Sequence, residues 1–346
     1  MNTRALAAMK PGEALTPFAF DRRAMKNTDI DFTVSYAGIC HSDIHQVREE
    51  WGPSLFPMVP GHEIVGIVDR VGSDVSSFSP GDKIGVGVFV DSCRTCPQCL
   101  SGLEQYCDEG MTPTYNGMER DGKTISFGGY SNRFVIDHKY AVHVPSELDF
   151  AGVAPLLCAG ITLYSPLRHW NAGKKTKIAV MGLGGLGHLG LKFAKAMGAE
   201  VTVLSHSASK EKDARAMGAD DFIVTSDPTS FLKSRKRFDL ILNTVSAEID
   251  INQYLELLSL NGTLVCIGLP GKPYAVNVGS LLSARRSLGG SMIGGIKETQ
   301  EMLDFAGVHG IVSEVEVIDA NYVNAAYERT VASDVRYRFV IDAKTL

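Results

Sequence analysis

Short apolar runs separated by turn-forming residues dominate the first 150 positions of the chain. Residues 64–68, 83–88 and 130–136 are such runs, and the tetrapeptide SPGD at residues 79–82 is a turn signal between the first two. Runs of this length bounded by glycine, proline, aspartate and serine are typical of β-strands. The first part of the chain is therefore predicted to form a β-rich domain with irregular loops.

A different pattern follows, in which near-continuous apolar runs alternate with segments of helical periodicity. The predicted strands are residues 178–181, 201–204, 222–224, 240–242 and 263–267, and the clearest predicted helices are residues 186–197 and 209–217. Such alternation indicates a parallel sheet covered on both faces. We predict an α/β, doubly wound parallel-sheet domain over residues 155–290. Residues 291–346, which end in a predicted strand at 339–341, are expected to join residues 1–154 in the first domain.

Composition and charge exclude some classes of protein. The chain has 346 residues, which suits two domains, and its net charge is −5 at pH 7. A nucleic-acid partner is not expected, because nucleic-acid binders are usually basic. No apolar run reaches the roughly 18 residues of a membrane span. The N-terminal segment lacks the apolar region of a secretory signal, so we expect a cytoplasmic protein that acts on small molecules.

The pattern G-x-G-x-x-G occurs between the predicted strand at 178–181 and the helix at 186–197, which is the context that makes it informative. Its first glycine allows a tight turn, its second admits a pyrophosphate, and its third allows close packing of helix on strand. The alternative is a glycine-rich turn that binds nothing. The predicted dinucleotide-binding residues here are Gly182, Leu183, Gly184, Gly185, Leu186 and Gly187.

The end of the next predicted strand indicates which dinucleotide binds. NAD sites usually carry an acidic residue there to hold the ribose 2′-hydroxyl, but the chain has Ser205, His206 and Ser207, followed by Lys210. Hydroxyl groups and a lysine can bind a 2′-phosphate, which a carboxylate would repel. We therefore predict NADP(H). The alternative is that Ser205 and Ser207 only cap the next helix, although capping and phosphate binding can coexist.

Seven cysteines are present, and four of them cluster as C-x2-C-x2-C-x7-C. In a chain without an export signal, this pattern favours metal thiolates over disulfides. Zinc favours tetrahedral sulfur ligation, and four thiolates leave no open position. A structural zinc site is predicted, with an iron–sulfur cluster or two disulfides as alternatives. Its ligands are Cys93, Cys96, Cys99 and Cys107.

A second metal site is predicted from residues that are dispersed along the chain. Cys40 and Cys158 each offer a thiolate, His62 an imidazole, and Glu63 a carboxylate. Two cysteines and one histidine leave a fourth position open for water or an alcohol, as a catalytic zinc requires. Taken singly, each residue is more often a buried cysteine or a core histidine. Their combination with the four-cysteine cluster and the glycine-rich loop favours the metal.

The sequence resembles the zinc-containing medium-chain alcohol dehydrogenases. Within that family it resembles the cinnamyl alcohol dehydrogenase-like branch of NADP-dependent aldehyde reductases. The resemblance covers essentially the whole chain. The motifs that carry it are GICHSD at 38–43, VPGHEIVG at 59–66, the four cysteines, PLLCAGIT at 155–162, GLGGLG at 182–187 and SMIGGIKETQEM at 291–302.

The resemblance implies a β-rich GroES-like catalytic domain into which a Rossmann domain is inserted. It also implies two zinc ions per subunit and a homodimer paired through the edge strands of the nucleotide domains. Cys40, His62 and Cys158 match the ligands of the catalytic zinc, and Glu63 matches a carboxylate that can also approach this metal. Asp43 matches the acid that orients the ligand histidine.

Further roles follow from the same resemblance. Ser42 matches the hydroxyl of a proton relay, in which some relatives carry threonine, and His45 matches the histidine further along it. Thr162 matches a residue near the nicotinamide. His206 stands where some NADP-using relatives have arginine, which leaves Lys210 as the surest cation for the phosphate.

We therefore predict a zinc-dependent, NADP(H)-linked dehydrogenase of primary alcohols and aldehydes, with a broad range that includes aromatic aldehydes. One alternative is a polyol or secondary-alcohol dehydrogenase of the same superfamily. These often lack the four-cysteine cluster or replace one catalytic cysteine by a carboxylate, so Cys158 counts against this alternative. Another is a non-catalytic nicotinamide-binding sensor, against which the open metal site argues.

Overall fold

The computed structural model describes residues 2–346. The N-terminal part is built mainly from short strands, as the apolar pattern predicts. The strands there are β1 (Asn2–Ala7), β2 (Thr16–Asp21), β3 (Asp29–Gly38), β4 (Ile64–Val71), β5 (Lys83–Val86), β6 (Phe89–Asp91), β7 (Thr112–Pro113), β8 (Gly117–Met118), β9 (Ile125–Ser126), β10 (Arg133–Asp137) and β11 (Val142–His143). The helices are α1 (His41–Val47), α2 (Pro97–Leu100), α3 (Phe150–Val153) and α4 (Ala159–His169).

The C-terminal residues complete the sheet of this first part. They form α10 (Ile296–His309), β18 (Val315–Ile318), α11 (Val323–Val331) and β19 (Arg338–Asp342), after the elements α5 to α9 and β12 to β17 described next. The sheet has the order β11–β5–β4–β3–β19–β18, and β10 also pairs with β3. The predicted return of the C-terminal strand is thus observed, because β19 pairs antiparallel with β3.

The middle of the chain forms a parallel sheet with helices between its strands. The strands are β12 (Lys177–Met181), β13 (Glu200–Ser205), β14 (Asp221–Val224), β15 (Phe238–Asn243), β16 (Leu258–Cys266) and β17 (Ser287–Gly290). The helices are α5 (Gly187–Ala196), α6 (Glu211–Ala216), α7 (Pro228–Lys233), α8 (Ile251–Leu255) and α9 (Val278–Leu282). The central strands are buried along nearly their whole length, which explains their continuous apolar sequence.

The order of this sheet is β14–β13–β12–β15–β16–β17. The chain winds outward from β12 to β14 and then returns across the sheet to β15, so the direction of winding reverses between β12 and β15. In doubly wound sheets, ligands bind beyond the carboxyl ends of the strands at this reversal. The loop after β12 is the glycine-rich segment. The predicted doubly wound fold is confirmed.

The chain divides into two units, which are described separately. The first runs to Ile161 and resumes from Gly294 to Leu346, and the second is Thr162–Ile293. A core of the first unit brings together Ile39, Val59, Tyr130 and Phe339. The core of the second packs β12 and β15 against α8, with Met181, Ile241 and Leu255 fully buried or nearly so.

Among the predicted boundaries that were wrong are those of two strands and one helix. The strand expected at 130–136 begins only at Arg133, because the backbone of residues 128–130 bonds to residues 59–61. The strand expected at 83–88 ends at Val86, and a side chain at Gly87 would approach the Leu157 carbonyl to 2.8 Å. The helix expected at 209–217 is a 3-10 turn at Ala208–Lys210 followed by α6.

Within residues 2–346, no single helix has both the length and the apolar character that a membrane crossing needs. One pair, Phe150–Leu157 with Ala159–His169, meets the criterion only when its two parts are taken together, and it bends by 58° between them.

Candidate active site and cofactor-binding loop

Four residues predicted as ligands of the second metal site converge in the first unit. Cys40 precedes α1, His62 and Glu63 precede β4, and Cys158 lies between a 3-10 turn and α4. One potential ligand atom from each lies within 4.8 Å of every other. Two thiols and an imidazole around one point are a donor set that suits zinc and leave a fourth position open. The residues therefore fit the metal that the sequence predicts.

Asp43 holds the surroundings of this cluster together. Its fully buried carboxylate accepts hydrogen bonds from the Cys40 amide (3.0 Å), the Gly61 amide (3.1 Å), His62 Nδ1 (3.0 Å) and the Tyr130 hydroxyl (3.0 Å). Because Nδ1 of His62 is occupied, its Nε2 is left as the ligand atom. Burial alone would lower the pKa of His62, but the Asp43 carboxylate raises it well above its usual range.

Glu63 is paired with an arginine from the C-terminal strand β19. Arg338 donates to both carboxylate oxygens of Glu63, at 2.6 and 2.8 Å, and also to the Ile39 carbonyl. Burial raises the pKa of Glu63 to about 7 even though Arg338 opposes the shift. A side chain on Gly38 would approach the Glu63 carboxylate to 2.0 Å. Glycine is therefore required at position 38 to give this carboxylate its place.

The pKa values of the two cysteines in this cluster are shifted in opposite directions. Cys158 shares a hydrogen bond with Cys40, which lowers the pKa of Cys40 well below its usual range and raises that of Cys158 well above it. His62 also lowers the pKa of Cys40. Thiolates are the metal-binding form of cysteine, so the cluster already favours one thiolate.

The other predicted metal site is a lobe formed by residues 93–107, with α2 and a 3-10 turn at Glu104–Tyr106. The four sulfur atoms lie within 4.8 Å of one another. Cys96 Sγ and Cys99 Sγ are 3.4 Å apart, and Cys93 Sγ and Cys99 Sγ are 3.9 Å apart. Four sulfurs around one zinc at about 2.3 Å would be separated by about 3.8 Å. The lobe therefore fits a closed tetrahedral site, and its sulfur separations do not fit disulfide bonds of about 2.05 Å.

Backbone amides support the sulfurs of this lobe. The Cys96 amide donates to Cys93 Sγ at 3.2 Å, and the Cys93 amide donates to Cys107 Sγ at 3.3 Å. Hydrogen bonds from the Thr95 and Cys96 amides lower the pKa of Cys93 to about 6. Such donors stabilise a thiolate, as a bound cation would.

The predicted proton-relay residues Ser42 and His45 both lie on α1. Ser42 Oγ is 3.5 Å from Cys40 Sγ, and His45 stacks on Trp51 with ring centroids 4.8 Å apart. His45 Nδ1 also makes a short contact with the Glu50 carboxylate. Among the described side chains, no direct hydrogen bond joins Ser42 to His45. Any proton that passes between them therefore requires a bridging water or hydroxyl.

The glycine-rich loop has the geometry that its spacing predicts. Gly182 has a φ of +85°, which favours glycine. A side chain on Gly187 would come within 1.9 Å of the Gly182 carbonyl, whereas one on Gly184 would meet no atom within 4 Å. Gly187 thus permits close packing, and Gly184 faces open space at the start of α5. The amides at the N-terminus of this helix can bind an anion such as a pyrophosphate.

The residues after β13 lie beside this loop. Lys210 Nζ donates to the Leu183 carbonyl at 2.9 Å, so the predicted phosphate-binding cation is held at the glycine-rich loop. Ser207 caps the 3-10 turn through the Ser209 amide, and the Ser205 hydroxyl donates to the Ser207 carbonyl. His206 is exposed. Ser207 therefore makes the contact that the capping alternative predicts, whereas Ser205 bonds to Ser207 and caps no helix. No carboxylate stands at the end of β13.

Thr162 is buried in α4, and the structure gives it no contact that identifies a role. Sequence reasoning missed Arg338 and Tyr130, which bond to Glu63 and Asp43, and Glu50, which contacts His45. Arg338 leaves a weak signal, since it is a charged residue directly before three apolar strand residues, Phe339–Ile341. Tyr130 is an ordinary strand residue in the sequence, and Glu50 is one of two adjacent glutamates.

Comparison with known proteins identifies a family for each of the two parts of the chain. Residues 26–146 match the alcohol dehydrogenase GroES-like domain family, and residues 185–307 match the zinc-binding dehydrogenase family. The predicted GroES-like and Rossmann architecture is thus confirmed.

Individual relatives align over nearly their full length. An NADP-dependent alcohol dehydrogenase C of Mycolicibacterium smegmatis is 56% identical over 99% of the chain and 98% of its own length. A cinnamyl alcohol dehydrogenase of Sorghum bicolor is 41% identical with a TM-score of 0.96, over 99% of this chain and 98% of that one. A Helicobacter pylori cinnamyl alcohol dehydrogenase solved with NADP(H) is 40% identical with a TM-score of 0.93, over the same shares. The chain therefore belongs to the zinc-type medium-chain alcohol dehydrogenases.

Proposed function

We propose that the protein interconverts primary alcohols and aldehydes with NADP(H) as coenzyme, including aromatic aldehydes. The observation that carries this proposal is the convergence of Cys40, His62 and Cys158, with the Glu63 carboxylate beside them, to within 4.8 Å of one another. Two thiolates and one imidazole on a zinc ion would leave its fourth position open. The relatives named above, an NADP-dependent alcohol dehydrogenase and two cinnamyl alcohol dehydrogenases, support the same reaction.

The residues around the cluster prepare it for a substrate oxygen. A zinc ion held there would supply a Lewis acid, and a bound nicotinamide would supply or accept the hydride. Asp43 fixes the orientation and tautomer of His62 through the Nδ1 contact. Arg338 keeps the neighbouring Glu63 carboxylate in place and balances its charge. Two thiolates and a neutral imidazole around a divalent ion would give a site with no net charge, which suits a neutral substrate.

We propose that Ser42 and His45 move the substrate proton. Ser42 lies beside the ligand Cys40 and is half-buried, so its hydroxyl is suited to exchange a proton with the substrate oxygen. His45 is more remote, and its side chain is 27% exposed, which allows exchange with solvent. Glu50 holds the Nδ1 side of the imidazole and directs Nε2 away from itself. Glu50 is therefore proposed as the residue that orients the relay histidine.

The coenzyme preference is proposed from the end of β13. The second unit, Thr162–Ile293, would bind the dinucleotide through the loop from Gly182 to Gly187, with Thr162 on the nicotinamide side. Ser205, His206, Ser207 and Lys210 would receive the 2′-phosphate. Charge-assisted hydrogen bonds contribute about 1.5–3 kcal/mol each, and about 1.4 kcal/mol corresponds to a tenfold change in affinity. One or two such contacts predict a preference of at least about tenfold for NADPH.

The test is a parallel measurement of kcat/KM for benzaldehyde and cinnamaldehyde reduction with NADPH and NADH on zinc-replete protein. The proposal predicts reduction with both aldehydes and a preference for NADPH of about tenfold or more. A Cys158→Ala variant, which removes one ligand of the open cluster but leaves the four-cysteine lobe intact, should lose this activity. Equal rates with the two coenzymes would contradict the coenzyme proposal. No reduction of either aldehyde would contradict the reaction.

We further propose that the protein is a cytoplasmic homodimer that pairs through the edge strand β17. The neighbouring helix α9 exposes Val278 (61%) and Leu282 (78%), and a buried Arg286 ties α9 to β16 and β17. Light scattering of the native protein should give twice the chain mass, and Leu282→Glu should reduce it. Val308→Glu, a matched change at an 83% exposed residue of the other unit, should leave the dimer intact. A monomeric native protein would contradict the proposal.

A further inference from the structure

A loop of the four-cysteine lobe takes its position from two of the cysteines. The Gly102 amide donates to the Cys99 carbonyl at 3.1 Å, and the Cys107 amide donates to the Glu104 carbonyl at 3.1 Å. Residues 102–104 therefore lie between two predicted metal ligands. Their position depends on how those two cysteines are held.

The same loop contacts the start of helix α10. The residue before this helix is Gly295, which has no side chain to cap it. Instead, the Ile296 amide donates to the Glu104 carboxylate at 3.2 Å. A side chain on Gly295 would lie 1.9 Å from the Gly102 carbonyl oxygen. The lobe thus supplies both the cap of α10 and the surface against which its first residues pack.

This start of α10 is also where the chain returns to the first unit. The unit is left after Ile161 and resumed at Gly294, and a side chain on Gly294 would lie 2.7 Å from Ile161 side-chain atoms. The preceding residue, Ile293, has a φ of +41° and is 7% exposed. A β-branched residue in this region is strained, and such strain persists only where neighbouring structure maintains it.

We propose that Glu104 is a positioning residue that transmits the metal-dependent shape of the four-cysteine lobe to the connection at residues 293–296. Its carboxylate fixes the first turn of α10, and the Gly102 carbonyl closes the space beside Gly295. The lobe then has a task beyond stabilising its own loop. The proposal explains why Glu104 contacts Ile296. Its kinetic part rests on the proposed function.

The kinetic consequence follows from the connectivity. The predicted dinucleotide contacts lie in the second unit alone, so coenzyme binding should not depend on Glu104. The proposed reaction also uses Cys40, His62 and Cys158 of the first unit, and the chain re-enters this unit at Gly294. A loosened connection should therefore lower kcat and leave the Kd for NADPH unchanged. If Glu104 contributed to stability alone, its replacement would lower the melting temperature but would not lower kcat at an unchanged Kd for NADPH.

The experiment compares Glu104→Ala, Glu104→Gln and Glu109→Ala in the zinc-replete protein. Glutamine retains an oxygen that can accept the Ile296 amide. Glu109 is an exposed acid two residues beyond the lobe that pairs with Arg120. Hydrogen–deuterium exchange of a peptide covering residues 293–300 is the primary readout, since it does not depend on activity. Loss of a helix cap predicts about fivefold faster exchange at Ile296.

The expected result is faster exchange in Glu104→Ala with both zinc ions retained, restoration in Glu104→Gln, and no change in Glu109→Ala. Cys96→Ser, which disrupts the lobe itself, should reproduce the faster exchange. For aldehyde reduction, kcat of Glu104→Ala should fall severalfold while the Kd for NADPH stays within twofold. Wild-type exchange in Glu104→Ala, or loss of the lobe's zinc from it, would overturn the proposal. The exchange result stands even if no aldehyde is reduced, so it separates this proposal from the proposed function.

Discussion

Replacement of Asp43 by asparagine tests how the predicted zinc ligands Cys40, His62 and Cys158 are held in place. One carboxylate oxygen of Asp43 accepts from the Gly61 amide and His62, and the other accepts from the Cys40 amide and Tyr130. An asparagine can keep only one of these oxygens. The least costly arrangement keeps the oxygen that serves His62, because the Tyr130 hydroxyl can rotate to accept from the new amide group. The Cys40 amide can only donate, so it loses its acceptor.

The magnitude follows from these contacts. A buried amide without a partner costs about 1–3 kcal/mol, and each of the two remaining bonds loses about 1 kcal/mol when its acceptor becomes neutral. The sum is about 3–5 kcal/mol of folding free energy. Mutation of the residue that orients a ligand histidine typically lowers metal affinity by about 10–100-fold, and here the His62 partner becomes neutral. Asp43→Asn should therefore lower the melting temperature and weaken metal binding at the cluster of Cys40, His62 and Cys158.

The assay is zinc retention during titration with a chelator, measured together with thermal unfolding. The four-cysteine lobe serves as an internal reference, so Asp43→Asn should pass from two zinc ions per chain to one at a lower chelator concentration than the native protein. Asp69→Asn is the matched control, since Asp69 is exposed and accepts only from Thr33 Oγ1 and the more distant Arg133. An Asp43→Asn variant that keeps both zinc ions and the native melting temperature would refute the reasoning.

Three further substitutions address the other predicted residues. Ser42→Ala should lower kcat about 100-fold or more with zinc content unchanged, whereas Ser42→Thr keeps the hydroxyl and the turnover; normal turnover in the alanine variant would remove Ser42 from the relay. Cys96→Ser should lower the melting temperature and release one zinc ion per chain, and normal stability and activity would argue against a structural metal. Ser205→Asp should shift kcat/KM from NADPH toward NADH more than the uncharged Ser205→Asn does, and equal ratios in the two variants would contradict the interpretation of the β13 end.

The sequence was sufficient to predict a β-rich first domain, the parallel sheet of the second and most of the residues proposed to take part in the chemistry. Strands buried on both faces, such as β12, are continuously apolar, so their type and their parallel pairing can be recognised from the pattern alone. The four cysteines and the glycine-rich loop are local motifs, whose function follows from short spacings. The boundaries were less certain, as at residues 130–136, because backbone bonds to residues 59–61 end the strand early.

Only the tertiary structure decided which distant residues surround the metal cluster. Arg338 reaches Glu63 from 275 positions further along the chain, and Tyr130 reaches Asp43 from 87 positions away. Neither residue has a local pattern that sets it apart, because a contact between distant segments depends on the pairing of β19 with β3 and on the path of the loops. The sequence by itself was sufficient to predict the metal-binding residues, since their chemistry is intrinsic to their side chains. The fold determined their partners, since burial and proximity arise only when the strands pack.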